Sequence, residues 1–216
     1  FLPDGMKIII RARESVYAGV SRLMGYDNLC IAIYENENLV EALFNSVGKR
    51  ILRYNEICCQ FASVGAVVVN DDWGYTTQTM LSPLHLRKYC FPWHKKIVET
   101  IHKAGKPAIL HSCGNLREVY EDVIDEMHYD GKHSFEDAIC PVEDIYDKYS
   151  GRIAILGGID VDFLTRRTPE EIKNRSIDML ERTQEKGGYA LGSGNSIPQS
   201  IPYENYLSMI STINNV

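Results

Sequence analysis

Several features that define other protein classes are missing from this sequence. No apolar run approaches the roughly 20 residues that a membrane-spanning helix needs. Basic residues are in the minority, with 23 Lys and Arg against 29 Asp and Glu, and they form no stripe. Low-complexity tracts and long blocks of one charge are also missing. These absences argue against a membrane span, against nucleic acid as the main partner and against a disordered chain.

The cysteines show no disulfide framework. Six are present, no regular spacing pairs them, and Cys58 and Cys59 are adjacent. The N-terminus has neither the charged block nor the apolar block of a signal peptide. We therefore expect free thiols in a reducing cytoplasm. The chain begins with Phe1 rather than Met, and we expect residues upstream of it to be missing.

What the sequence contains is typical of a globular protein with a large core. Its 216 residues are 44% apolar and 24% charged. Six short apolar runs, mostly rich in β-branched residues, predict strands that are covered on both faces, as in a parallel sheet. The runs are residues 7–11, 66–70, 108–111, 131–135, 153–157 and 189–192, the fourth being the weakest.

Helical patterns alternate with these runs. Ser82 and Pro83 are typical of a helix N-cap and first-turn proline, and residues 168–171 (TPEE) form a capping box. The predicted helices cover about residues 37–60, 82–104, 115–127, 142–149, 168–185 and a last segment from 202. The alternation predicts an α/β fold in one domain, 1–216, either a (β/α) barrel or a doubly wound sheet. No GxGxxG or GxxxxGKS/T motif follows a strand, which weakens the nucleotide-binding versions, and six units fall short of the eight in a closed barrel.

Polar or glycine-rich clusters follow every apolar run. In a parallel barrel the carboxyl ends of the strands converge on one face, so we expect these clusters to form one active site. The alternative is that polar residues simply begin where strands end. The clusters are Arg11 with Arg13, and residues 70–72, 111–113, 133–137, 157–160 and 192–195.

His111 and Cys113 form the sharpest candidate pair. At positions i and i+2 of an extended strand end, both side chains point the same way. Imidazole and thiolate are good zinc ligands, so the pair could supply half of a tetrahedral site. The alternative is a core cysteine beside a hydrogen-bonded histidine.

The acidic residues at the strand ends have several possible roles. Asp71 and Asp72 point in alternate directions on an extended chain, so we expect one of them to enter the pocket. That carboxylate could orient a substrate, act as a general base, complete the metal site, or cap a helix or turn. Glu136 and Asp137 pose the same question.

The remaining aromatic and imidazole side chains point less clearly to a site. Trp73 could line an apolar pocket or belong to the core. Four histidines lie on predicted helices and are interpreted as surface or packing residues. They are His85, His94, His102 and His128.

Four motifs together resemble one known family. HSCGN at 111–115, NDDWG at 70–74, GGID at 157–160 and LGSGNSIPQSIPYEN at 191–205 are similar to motifs of the uroporphyrinogen decarboxylase (URO-D) superfamily. The resemblance covers nearly the whole chain, from about Lys7 onwards. It implies a TIM-type (β/α)8 barrel with its site at the carboxyl-end face. This chain would form roughly the C-terminal three-quarters of that fold, with the N-terminal βα units missing.

The superfamily has two branches with different chemistry. One holds uroporphyrinogen decarboxylases, cofactor-free enzymes of porphyrin biosynthesis that remove acetate carboxyls from a tetrapyrrole. The other holds zinc-dependent methyltransferases that exchange methyl groups between a corrinoid protein and a thiol or another acceptor. The H-x-C motif resembles the zinc motif of the methyltransferases, so the resemblance is closer to that branch.

The zinc motif departs from the family's pattern at one position. The third ligand is usually a cysteine in the Gly-x-Gly turn after the last strand, where this chain has Ser193. A serine hydroxyl is a poor zinc ligand at neutral pH. Asp72, His133 or Glu136 could replace the missing ligand, or the metal could be absent. We favour Asp72, because a carboxylate at a neighbouring strand end has the reach.

Three hypotheses follow. The leading one is a cytoplasmic methyltransferase of the corrinoid-linked type, with zinc, a methylated small molecule as donor or acceptor, and a corrinoid protein as partner. The second is cofactor-free decarboxylation of a tetrapyrrole, and the third is a non-catalytic relative. The second hypothesis requires basic residues to pair with the carboxylates of the tetrapyrrole. Only Arg11 and Arg13 are obvious, and the strand ends are mostly acidic, which argues against it. Open sheet edges and exposed apolar helix faces in an incomplete barrel also predict that the chain forms a homodimer or aggregates.

The residues expected in the site fall into three roles. The catalytic candidates are Asp72, His111 and Glu136. The candidate metal ligands are His111, Cys113 and Asp72. The candidate substrate-binding residues are Arg11, Trp73, His133, Asp160, Ser193 and Asn195.

Overall fold

The computed structural model of the chain describes the backbone of residues 2–12 and 14–215 and the side chains up to Ile213. Contacts divide the chain into two units, Phe1–Asp130 and Gly131–Val216. Each unit contains parallel strands with helices between them, which confirms the predicted α/β fold with a TIM-barrel-like βα repeat. No helix built from the described residues is both long enough and apolar enough to cross a membrane.

The sheet of the first unit follows chain order. Its described strands are β1 (Ile8–Arg11), β2 (Val64–Asn70) and β3 (Ala108–His111). β1 pairs with β2, and β2 pairs with β3, both in parallel. Residues of β2 and β3 are mostly buried, which explains the continuous apolar character of both runs.

The helices of the first unit lie between and after these strands. In the described part they are α1 (Val16–Met24), α2 (Tyr26–Glu35), α3 (Glu37–Cys59), α4 (Pro83–His85) and α5 (Phe91–Lys103). A π-helical turn, Leu86–Cys90, joins α4 to α5, so the helix predicted over 82–104 is present with one wide turn. Ser82 caps it as predicted, because its hydroxyl oxygen accepts a hydrogen bond from the His85 N–H.

The sequence pattern did not predict α1 and α2. Ser15 occupies the N-cap position of α1, but its side chain makes no capping hydrogen bond. Instead the carboxylate of Asp71 accepts hydrogen bonds from the N–H groups of Tyr17 and Ala18, 54 and 53 residues away. No local pattern can reveal a cap that comes from such a distance. A glycine inside α1, Gly19, weakens the helical pattern further.

The helix predicted over residues 115–127 is shorter and irregular in the structure. A 3-10 turn (Arg117–Val119) and a π-helical turn (Asp122–Glu126) make up most of a helical segment from 117 to 126. Val119, Val123 and Met127 are nevertheless buried at helical spacing. The spacing therefore predicts which face is buried, but tertiary packing decides the hydrogen-bond register.

The second unit repeats the pattern with shorter strands. Its described strands, β4 (Gly131–His133), β5 (Ala154–Leu156) and β6 (Tyr189–Ala190), pair in parallel in that order. Its α-helices are α6 (Val142–Tyr149), α7 (Val161–Arg166), α8 (Pro169–Thr183) and α9 (Tyr203–Ser211). β4 ends earlier than predicted, and Ser134, with a φ of 85°, turns the chain away from the strand direction.

Side-chain caps start two helices of the second unit. Thr168 and Glu171 form the predicted capping box of α8. The sequence pattern missed α7, which begins after Asp160, whose carboxylate accepts hydrogen bonds from the Asp162 and Phe163 N–H groups. At 6 residues, α7 is too short for a helical repeat to be recognised.

Candidate functional site

The ends of β2 and β3 are held side by side. The register pairs Asn70 with His111, and the Asp71 N–H continues the ladder by donating to the His111 carbonyl at 3.0 Å. The residues that follow, 71–74 and 111–114, therefore run next to each other. These two segments carry the NDDWG and HSCGN motifs.

Hydrogen bonds continue between the two segments beyond the strands. The Trp73 N–H donates to Ser112 Oγ at 3.1 Å, and the Gly74 N–H donates to the Cys113 carbonyl at 3.1 Å. In the opposite direction the Cys113 N–H donates to Asp72 Oδ1 at 2.9 Å. These bonds fix the position of Asp72 relative to Cys113.

Two glycines allow the segments to approach this closely. A Cβ at Gly114 would lie 2.2 Å from the carbonyl carbon of Gly74, and a Cβ at Gly74 would lie 2.5 Å from the backbone nitrogen of Asn115. Gly114 also has a φ of +81°, which L side chains rarely adopt. The close contact therefore requires glycine in both motifs.

A nitrogen, a sulfur and a carboxylate oxygen meet where these segments pair. His111 Nε2 lies 3.7 Å from Cys113 Sγ and 4.0 Å from Asp72 Oδ1. The three donor atoms lie within 4.8 Å of one another. The His111 side chain is only 7% exposed, whereas that of Asp72 is 49% exposed, so solvent reaches the cluster on the Asp72 side.

The donor set fits a zinc ion. Bonds of about 2.0–2.3 Å place two ligand atoms of one tetrahedral zinc roughly 3.3–3.6 Å apart. The separation of His111 Nε2 and Cys113 Sγ is close to this value, and Asp72 Oδ1 lies slightly farther away, 4.0 Å from His111 Nε2. Imidazole, thiolate and carboxylate are all zinc ligands in proteins. We call this group of three residues the candidate metal centre.

A second group of donor atoms lies in the interior of the same unit. Asp71, Cys90 and His94 are completely buried. His94 Nε2 lies 2.8 Å from Asp71 Oδ2, which is a hydrogen-bond distance and shorter than the separation of two ligands on one tetrahedral zinc. Both carboxylate oxygens of Asp71 also accept backbone N–H groups of α1. This second group is therefore a hydrogen-bonded network.

His94 connects that network to Tyr129. Its Nε2–H donates to Asp71, and its Nδ1 lies 2.7 Å from the Tyr129 hydroxyl. Burial alone would raise the pKa of Asp71, but the bonds from His94 and from the Ala18 N–H outweigh burial and lower that pKa. Burial raises the pKa of Tyr129 well above its usual value, so its hydroxyl keeps its proton and can donate to Nδ1.

The second unit has a pocket of its own, with a volume of about 570 Å³. Three predicted site residues, Glu136, Asp160 and Asn195, line it, and Phe135 and Val161 supply apolar wall. None of the described residues that line the pocket is Lys or Arg. The pocket therefore suits a neutral or cationic molecule better than one with many carboxylates.

Some of the predicted binding residues also hold the loops around this pocket. The Asp160 carboxylate accepts a hydrogen bond from the Asp137 N–H at 2.8 Å, in addition to capping α7. Ser193 Oγ donates to the Asn195 carbonyl at 2.5 Å. His133 Nε2 lies 3.3 Å from the Ser193 carbonyl oxygen. The structure thus brings His133, Ser193 and Asn195 together through the loop after β6.

Comparison with known proteins identifies the family. A family model described as uroporphyrinogen decarboxylase (URO-D) matches residues 16–216. The chain belongs to the URO-D family. No curated protein matches the chain significantly.

A solved structure supports the fold of this URO-D family chain. A methyltransferase from Methanosarcina mazei is similar to it, with a TM-score of 0.76 and 18% sequence identity over 94% of the chain. The chain spans 57% of the length of that structure. At this level of identity, the similarity shows a shared fold.

Arg11 and Trp73, both predicted to bind substrate in this URO-D family chain, have different surroundings. Arg11 is the exposed last residue of β1. Trp73 has no exposed surface, and its ring centroid lies 4.9 Å from that of Phe91 and 4.7 Å from that of His94. Trp73 is therefore part of the core, and its contact with a substrate stays a prediction. Arg13 lies outside the described residues.

The roles of His94 and Tyr129 in this URO-D family chain are not evident from the sequence pattern. The interpretation of His94 as a surface or packing residue is incomplete, because its imidazole is fully buried and hydrogen-bonded at both nitrogens. Its partners are 23 and 35 residues away, so no local signal could have identified them. The side chains of Asp71 and Asp72 point in opposite directions, as predicted. Asp71 points into the core, and Asp72 points towards His111 and Cys113.

Proposed function

We propose that this URO-D family chain is a methyltransferase of the corrinoid-linked type. A methyl group passes between a corrinoid protein and a small molecule, and Asp72, His111 and Cys113 would hold a zinc ion that would activate the acceptor. The observation that carries the proposal is the meeting of these three donor atoms, at separations that suit one zinc ion. The similarity in fold to a methyltransferase supports it.

The residues of the candidate metal centre have distinct roles in this proposal. Zinc, when bound, supplies positive charge that lowers the pKa of an acceptor thiol or similar group. His111 and Cys113 would provide a nitrogen and a sulfur ligand, and Asp72 would take the place of the cysteine that the family's pattern has where this chain has Ser193. Three protein ligands would leave room for the acceptor. The acceptor atom bonds to the methyl carbon as the bond from that carbon to its donor breaks, and the electron pair leaves with the donor.

The pocket of the second unit is the proposed binding site for the methylated small molecule. Phe135 and Val161 suit its methyl or aromatic groups, and Asn195 offers polar contacts. The half-buried carboxylate of Glu136 is the candidate for proton transfer at this pocket. A tetrapyrrole with many carboxylates would need cationic partners. The described lining residues include no Lys or Arg, which disfavours that substrate.

The corrinoid protein and a second copy of the chain are the proposed partners. A corrinoid protein is required by the reaction class, since the donor or product must be carried to the site. The homodimer is supported by the exposed apolar side chains of β1, Ile8 at 43% and Ile9 at 60% exposed. Light scattering at micromolar concentration tests the dimer, and a monomer would contradict it.

A methyl-transfer assay tests the proposed function. The zinc-loaded protein is incubated without oxygen with methylcobalamin and mercaptoethanol, and methylation of the thiol is followed by mass spectrometry. We expect transfer by the wild type and a rate roughly 100-fold lower in the His111→Ala/Cys113→Ala variant, because the thiol is no longer activated. The matched control, His85→Ala/Cys58→Ala, removes one imidazole and one thiol outside the candidate metal centre and should keep the rate.

Equal rates in all three proteins would contradict the methyltransferase proposal. The same proteins are also assayed for release of carbon dioxide from uroporphyrinogen. Decarboxylation that survives the loss of His111 and Cys113 would favour a cofactor-free decarboxylase. The absence of both activities in the wild type would favour a non-catalytic relative.

A further inference from the structure

His94 contacts both neighbours of Asp72. Its Nε2–H donates to the Asp71 carboxylate at 2.8 Å, and its ring meets the Trp73 ring edge-on with centroids 4.7 Å apart. Asp72, between these two residues, points to the opposite side of the extended segment and lies near the other candidate ligands. One side chain on α5 therefore touches the residues on either side of a candidate ligand.

Several hydrogen bonds hold the Asp71 carboxylate, and with it this segment, in place. Besides His94, it accepts the N–H groups of Tyr17 and Ala18 at the first turn of α1. On the other side of the His94 ring, Nδ1 lies 2.7 Å from the Tyr129 hydroxyl oxygen. Hydrogen bonds to a charged carboxylate are strong, and removing one partner of a buried charge is strongly destabilising. Loss of His94 would therefore destabilise the segment next to Asp72.

Trp73 links the contact with His94 to the segment that carries His111 and Cys113. Its N–H donates to Ser112 Oγ at 3.1 Å, and Ser112 lies between His111 and Cys113 in the chain. Both Trp73 and Ser112 are completely buried, so neither can shift without displacing its neighbours. A displacement of Trp73 would be passed on to the residue between the two ligands.

We propose that His94 is a positioning residue for the candidate metal centre, and that Tyr129 fixes the orientation of the His94 ring. His94 acts through Asp71 and Trp73 and touches neither metal nor substrate. Without it, the segment 71–74 relaxes and the Asp72 carboxylate leaves the place where it meets His111 and Cys113. This inference rests on the proposed zinc centre and extends it to a helix that carries no ligand.

Metal affinity and metal geometry test the role of His94 without any activity assay. The zinc dissociation constant is measured by competition with a chelator, and the cobalt(II) absorption spectrum reports the ligand geometry. We expect zinc to bind about 10–100-fold more weakly to His94→Ala, with an altered cobalt spectrum. His94→Gln should recover most of the affinity, because its amide N–H can reach Asp71 from nearly the same position as Nε2.

Two further variants separate positioning from general stability. Tyr129→Phe keeps the buried ring and removes only the hydroxyl, so it should fold and should weaken zinc binding by roughly 3–10-fold. Ile101→Ala is the matched control, because Ile101 is a fully buried residue of the same helix whose side chain can form no hydrogen bond with the segment 71–74. It should lower the melting temperature and leave the zinc affinity and the cobalt spectrum unchanged.

The possible failures of the two proposals are distinguishable. Wild-type zinc affinity and cobalt spectra in both His94→Ala and Tyr129→Phe would overturn the positioning role while leaving the zinc centre intact. An equal loss of affinity in Ile101→Ala would also overturn it, because the effect would then follow stability alone. A wild-type protein that binds neither metal would overturn the zinc centre and the positioning role together.

Discussion

Replacing Gly114 by alanine is expected to separate the two segments that carry the candidate ligands. The new Cβ would lie 2.2 Å from the carbonyl carbon of Gly74 and 2.3 Å from its oxygen. Non-bonded carbon atoms pack at about 3.5–4.0 Å, so the segments must move apart by at least about 1.3 Å. Backbone atoms cannot rotate out of the way as a flexible side chain can. Because Asp72 and Cys113 are close to these glycines, the distance between their donor atoms should grow by a similar amount.

The loss of stability in Gly114→Ala has two sources. Forcing a methyl group into a filled contact costs about 1–3 kcal/mol. The φ of +81° costs a residue with a Cβ about 1 kcal/mol more. The total of roughly 2–4 kcal/mol corresponds to a decrease in Tm of about 4–16 °C for a chain of this length.

Gly105→Ala is the control that isolates the steric contact. Gly105 also has a positive φ, +69°, but nothing lies within 4 Å of the Cβ that alanine would add. Only the conformational cost of about 1 kcal/mol applies there. Thermal unfolding by circular dichroism and zinc competition are measured on both variants. Gly114→Ala should lose more stability and at least about 10-fold in zinc affinity. Equal Tm values and equal zinc affinities in the two variants would show that the contact between Gly114 and Gly74 does not position the candidate ligands.

Three further predictions concern stability. Zinc should raise the Tm of the wild type by binding its native state, and EDTA should reverse the rise. An equal rise in Tm in His111→Ala/Cys113→Ala would contradict zinc binding at the candidate metal centre. Thr168→Ala removes the capping box of α8 and should lower the Tm by about 2–4 °C, whereas an unchanged Tm would mean that the box contributes nothing. Arg175→Met removes ion pairs of 2.5 Å to Asp137 and 2.8 Å to Glu143, so urea unfolding at pH 7 should show a loss of roughly 1–3 kcal/mol. Burial would raise the pKa of Glu143, but Arg175 lowers it below its usual 4.5. The ion pair therefore stabilises the protein above that pH and loses its effect as the pH falls further. The difference in stability between the wild type and Arg175→Met should consequently disappear in acid. A difference that does not change with pH would count against a stabilising ion pair.

Local sequence patterns were sufficient for the strands and for one pair of candidate ligands. β3 is a continuous buried run, and the spacing of His111 and Cys113 sends both side chains the same way. The pleat likewise separates Asp71 from Asp72, one pointing inwards and the other outwards. These features depend only on backbone geometry within a few residues, which is why the sequence predicts them.

Features that depend on distant partners could not be predicted in this way. The N-terminus of α1 is capped by Asp71, and the same carboxylate accepts a hydrogen bond from His94 on α5. A helical pattern can predict that His94 is buried, but the acceptor it meets depends on how α5 packs against the end of β2. The register of residues 115–127 is decided by packing in the same way.

The decisive measurement for the candidate metal centre is the zinc content of the purified protein. The protein is prepared without chelator, equilibrated with zinc, freed of excess metal and analysed by elemental mass spectrometry. We expect about one zinc per chain in the wild type and in His85→Ala/Cys58→Ala, and none in His111→Ala/Cys113→Ala. A wild type that holds no zinc after reconstitution, or a His111→Ala/Cys113→Ala variant that keeps it, would rule out the proposed zinc site.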